Sequence, residues 1–168
     1  PYKITIHMMG SFIIIALLLY GIYHSQRQKV TTYLPVFKYV LISAISLTFI
    51  QVFLGTQVRQ FIDEQVLNFG YKKELWLQNP NLQFYIHRTL SILIILINAS
   101  LYMIIKKIQL NEPLINYIIL VIGLEVVTGI LMYYLNFPFT TQPLHLVLSA
   151  LLFGLQFYLI LKTTIKKA

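Results

Sequence analysis

Gln83-Phe84-Tyr85-Ile86-His87-Arg88 is followed by seventeen uncharged residues, Thr89 to Ile105. A histidine and an arginine thus stand side by side where a membrane-length apolar helix begins. Downstream, Pro143-Leu144-His145 opens a second uncharged stretch in the same manner. Two histidines at matched depth, on helices running in one direction, are placed to grip a planar cofactor from opposite faces.

The rest of the chain supplies the membrane around that pair. Of its 168 residues, 58% are hydrophobic and 11% charged, and the mean hydropathy is +0.74, which excludes a water-soluble domain. The net charge of +8 does not point to nucleic acid, because Lys and Arg cluster between the apolar runs, where they set orientation. Cysteine is absent, so disulfides, thiolate metal sites and cysteine nucleophiles are excluded within these residues.

Five membrane helices are predicted, giving an all-α integral membrane protein. They cover about Ile4–Tyr23, Pro35–Val58, Leu82–Ile105, Pro113–Leu135 and Pro143–Leu161. Residues 25–34 form a cytoplasmic loop and residues 59–81 an outer loop, in which Phe61, Ile62, Val66, Leu67 and Phe69 suggest a short surface helix. The basic residues Arg27, Lys29, Lys106, Lys107, Lys162, Lys166 and Lys167 belong in the cytoplasm, whereas the turn 136–142 is uncharged and faces outward. The N-terminus of the chain then lies outside. That start, together with Pro1 in place of Met, predicts a chain continuing upstream, with residues 1–24 as the last helix of a preceding bundle. Residues 35–168 form a four-helix bundle of their own.

An internal repeat agrees with two bundles. His7-x3-Ser11-x8-Tyr20 in the first helix matches His145-x3-Ser149-x8-Tyr158 in the fifth, and Gln51-x3-Gly55 in the second matches Glu125-x3-Gly129 in the fourth.

Ionisable groups inside a membrane are rare and usually functional. His87 and His145 are therefore candidate axial ligands of one haem, a group that facing helices of a bundle can hold between two neutral imidazoles. The competing reading is a pair of interfacial histidines solvated by headgroups. Arg88 and Arg59 are candidates to pair with haem propionates, since arginine offers a carboxylate two parallel hydrogen bonds; Arg59 fits a residue snorkelling to the membrane edge equally well. His7 has no partner histidine in this chain and is a ligand candidate for the preceding bundle, while His24 reads as a solvated interfacial residue. Glu125 lies near the middle of its helix, where a charged, unpaired carboxylate costs several kcal/mol. It is expected to be neutral and hydrogen-bonded within the bundle, a structural polar group like its counterpart Gln51. Gly55, Gly123 and Gly129 are expected to permit close helix approach.

Gly55-Thr56-Gln57-Val58-Arg59, Ile86-His87-Arg88, Glu125-x3-Gly129-Ile130 and Pro143-Leu144-His145, in this order and spacing, resemble the haem A synthase family. The resemblance covers essentially the whole chain, mapped onto the fourth to eighth helices of an eight-helix pseudo-repeat. It implies a haem b held by His87 and His145. It also implies a neighbouring bundle, to which His7 belongs, where the C8 methyl of haem O is oxidised to the formyl of haem A for terminal oxidase assembly. The implied partners are a haem O synthase as supplier, oxidase assembly factors and the lipid bilayer of a bacterial cytoplasmic membrane; the electron donor and self-association are left open. Relatives often carry an outer cysteine pair that this chain lacks, and some have an amide where Glu125 stands. Two alternatives are a small bis-His membrane cytochrome exchanging electrons with quinone and a haem-free assembly scaffold.

Overall fold

The computed structural model describes residues 3–26, 31–33 and 35–165. Five helices, each long and apolar enough to cross a membrane, make up nearly all of them: α1 (Lys3–Ser25), α2 (Pro35–Phe69), α3 (Leu82–Lys107), α4 (Pro113–Tyr134) and α5 (Thr141–Lys162). The chain is thus an all-α membrane protein, as its apolar runs predict. The basic positions Arg27, Lys29, Lys166 and Lys167 used to orient it lie outside the described residues. Two three-residue strands, β1 (Thr31–Tyr33) and β2 (Thr163–Ile165), pair in parallel and tie the α1–α2 connection to the end of α5.

Short-range chemistry fixes the helix ends. Pro35 and Pro113 occupy first-turn positions, where a missing N–H costs nothing. The Asn81 side chain caps α3 by accepting from the Phe84 N–H at 3.0 Å, a contact worth about 1 kcal/mol. Glu112 accepts from the Leu114 N–H at the start of α4 and receives Lys162 Nζ at 2.9 Å, so the start of α4 and the end of α5 are joined by a largely buried ion pair.

The second helix departs from the expected boundary. Hydropathy places its end at Val58, but α2 continues unbroken to Phe69, so residues 59–69 are helix and only the remainder of 59–81 is loop. Hydropathy marks where a helix leaves the hydrocarbon, not where its hydrogen bonds stop. No Gly or Pro interrupts residues 59–69, Arg59 and Asp63 form an i,i+4 ion pair at 2.8 Å, and the helix ends only at Gly70 with φ +59°. Thirty-five residues span about 52 Å, some 20 Å more than the hydrocarbon core needs. The overhang carries Ile62, which packs with Trp76 and Phe137 in a small separate core. The surface helix expected around Phe61–Phe69 is this overhang.

Helices α2 to α5 form a closed ring in which α2 touches α3 and α5, and α4 touches the same two. Consecutive helices alternate in direction. α3 and α5 are therefore diagonal, parallel, and both begin at the same end of the bundle. Phe37, Leu41, Leu101, Ile105, Ile115, Ile118, Leu152 and Leu159 fill the half of the ring away from that end. At its centre the fully buried Gln156 donates to Asn98 Oδ1 at 3.0 Å.

α1 packs outside this ring against α2 and α5. Phe12 stacks on Phe153 at 4.6 Å, Ile15 and Leu19 lie over Gly154, and Tyr23 meets Tyr158, so α1 runs parallel to α5.

Candidate functional site

The two diagonal histidines meet near the end of the bundle at which α3 and α5 begin. His87 is the sixth residue of α3 and His145 the fifth of α5. Their ring centroids lie 6.4 Å apart, with the ring planes 69° from parallel.

Each ring is seated by the helix before it, and the two seats repeat one another. On α2, Gly55 leaves room for His87, and a Cβ there would stand 3.2 Å from the imidazole Cε1. One turn earlier, the Gln51 main-chain carbonyl lies 3.2 Å from His87 Nδ1, while the Gln51 side-chain amide donates to the His87 main-chain carbonyl at 2.9 Å. On α4, Gly129 faces the His145 ring at a looser 4.0 Å. One turn earlier, Glu125 Oε2 lies 2.6 Å from His145 Nδ1. Thr128 Oγ1 lies 2.8 Å from the same nitrogen.

These contacts favour hydrogen on Nδ1 of both rings. A carbonyl oxygen only accepts, so His87 Nδ1 must donate to Gln51. Thr128 gives its hydroxyl hydrogen to the Glu125 carbonyl at 2.9 Å, so His145 Nδ1 donates in turn. In both rings Nε2 is then left with a free lone pair. Metal-binding histidines are held in this way, the distal N–H fixed by an outer partner.

The spacing also fits. Two metal–imidazole bonds of about 2 Å, with the ring radii added, put ring centres roughly 6–6.5 Å apart when one iron lies between them. Gln51 Oε1 and Glu125 Oε1 are buried beside the histidines without a hydrogen-bond partner, a further sign of polar atoms arranged around a site. Among the described residues no group of three or more His, Cys, Asp or Glu is arranged to hold a bare metal ion.

The other candidates lie around this pair or away from it. Arg88 is exposed beside His87, its guanidinium over the Phe84 and Tyr85 rings at 5.9 and 5.7 Å. Arg59 pairs with Asp63 and donates to Gln142 Oε1 at 2.7 Å, three residues before His145. His7 is exposed on α1, outside the ring of helices. His24 is exposed at the far end of α1, its ring 4.2 Å from that of Tyr20.

One participant escapes a sequence reading: Thr128, although its place three residues after Glu125 puts both on one helical face. Away from the site, Asn98 and Gln156 pair with one another three turns along from the two histidines, each eleven residues after its own.

No curated protein and no solved structure matches the chain. Among known families, residues 1–157 match COX15-CtaA, described as a cytochrome oxidase assembly protein. With nearly its whole length matched, the chain belongs to this family, that of the haem A synthases.

Proposed function

We propose that this chain supplies the haem b bundle of a membrane oxidoreductase converting the C8 methyl of haem O to the formyl of haem A. The family supports a haem A synthase-like role in cytochrome oxidase assembly. The finer assignment is carried by one observation: both histidines have Nδ1 committed to an acceptor and Nε2 free, at the separation a single iron requires.

In this reading His87 and His145 hold the iron through Nε2, and Arg88 and Arg59 face the outer edge where propionates emerge. Arg88 has only aromatic rings beneath it among the contacts described, so its charge is available to a carboxylate. Arg59 already pairs with Asp63 and would divide its guanidinium between that carboxylate and a propionate. Bound here, haem b supplies one-electron transfer. Both histidines of this bundle would be committed to holding that haem, so oxidation of haem O is assigned to the neighbouring bundle, with His7 as its ligand candidate from this chain. Gln51, Glu125 and Thr128 hold the two rings, and Gly55 and Gly129 admit them.

Haem extracted from cells that make haem O but no haem A tests the reaction. Expressing the gene at its natural length should produce haem A, identified by mass. If only a bound haem b accumulates and haem O persists, the chain is a bis-His cytochrome instead.

The proposed orientation places α2's overhang and the histidines outside, and Lys106 and Lys107 in the cytoplasm of a bacterial cell. The chain offers a cysteine-free background for labelling. An impermeant thiol reagent on intact cells should modify Thr140→Cys and spare Ser25→Cys; the reverse pattern would invert the topology.

A further inference from the structure

The two halves of the site share the histidine and the glycine, but the helices that seat the rings differ at two positions, where α2 has Gln51 and Leu54 and α4 has Glu125 and Thr128. The chemistry of Gln51 and Glu125 makes them act differently. An amide can donate, and Gln51 gives its N–H to the His87 main-chain carbonyl. This leaves the His87 ring one acceptor, a main-chain carbonyl at 3.2 Å. A carboxyl group in its place has no N–H for that carbonyl, and Glu125 turns to the ring instead. His145 Nδ1 therefore faces Glu125 Oε2 at 2.6 Å and Thr128 Oγ1 at 2.8 Å.

We infer that Glu125, supported by Thr128, makes His145 the stronger donor of the pair and sets the reduction potential of the centre. The inference rests on the bis-His reading above. A short hydrogen bond to a carboxyl oxygen draws the Nδ1 proton outward and raises the electron density on Nε2. The stronger donor favours the oxidised iron. Glu125 is then a tuning residue that never touches the metal, and its role differs from that of a polar group present only for packing. Thr128 keeps the geometry: its hydroxyl hydrogen is committed to the Glu125 carbonyl, so its oxygen stays aimed at the ring.

The test is a spectroelectrochemical titration of the haem-loaded protein at fixed pH. Glu125→Gln should keep the low-spin spectrum and shift the reduction equilibrium about tenfold toward the reduced form, a rise of about 59 mV for one electron. Thr128→Val removes the second acceptor and should shift it the same way by less. An unchanged or lowered potential in a low-spin Glu125→Gln protein overturns the inference and leaves bis-His ligation standing. Should Glu125→Gln fail to retain haem, Thr128→Val decides alone, and an unmoved potential there counts against the idea. A wild-type protein without a low-spin haem removes the reading beneath it.

Discussion

His87→Ala and His145→Ala should each abolish the low-spin haem spectrum, and they should do so alike. Each imidazole lies on its own diagonal helix and presents a free Nε2, so neither can substitute for the other. Loss of one leaves the iron a single protein ligand, giving a high-spin spectrum or loss of the haem. Losing an outer partner of a metal-binding histidine typically weakens metal binding about 10–100-fold, and losing the ligand itself should weaken it more. Two comparisons make the prediction specific. His24→Ala changes an exposed ring tilted against Tyr20 and should leave the spectrum as it is. His7→Ala alters α1 outside the ring of helices and should also spare it. Optical spectra of the four proteins in detergent, with haem quantified per chain, check all of this. A low-spin spectrum at full haem content in His145→Ala would break the pairing.

Gly55→Leu should be nearly as damaging, although it removes no ligand and no hydrogen bond directly. A bare Cβ at this position already lies 3.2 Å from His87 Cε1, tighter than ordinary contact. The three further carbons of leucine have to enter the space of the imidazole itself. Overpacking of this sort costs about 1–3 kcal/mol, and here the strain falls on the ring and on its bond to Gln51, so haem binding should weaken roughly ten- to hundredfold. Gly129 provides the internal comparison, because a Cβ there stands 4.0 Å from His145 Cε1, an ordinary van der Waals distance. Gly129→Ala should therefore bind haem nearly as the wild type does, and Gly55→Ala should fall between. Haem titrations of the three variants give the order. Equal affinities for Gly55→Leu and the wild type would mean that the glycine is not the seat of the ring.

The histidines and the glycines were legible in the sequence because membrane helices restrict what can appear in them. An ionisable residue in an apolar run stands out, and the repeat of Gln51-x3-Gly55 in Glu125-x3-Gly129 singles out one face of two helices. The five spans follow from the same contrast between apolar and basic stretches. What hydropathy could not give is the length of α2, since an exposed amphipathic extension stabilised by Arg59–Asp63 and ended by Gly70 carries no membrane signal. Nor could spacing reveal that Gln51 holds His87 through its main chain while Glu125 holds His145 through its side chain. That difference depends on which group donates across the helix pair. The bonds from Arg59 to Gln142 and from Gln156 to Asn98 join residues 83 and 58 positions apart, and only the closed ring brings them together.

Electron paramagnetic resonance of the oxidised wild-type protein, with haem counted per chain, decides whether His87 and His145 together hold one iron. A low-spin ferric signal of the bis-imidazole type at one haem b per chain is expected. A predominantly high-spin signal at that stoichiometry, or no bound haem, would contradict it.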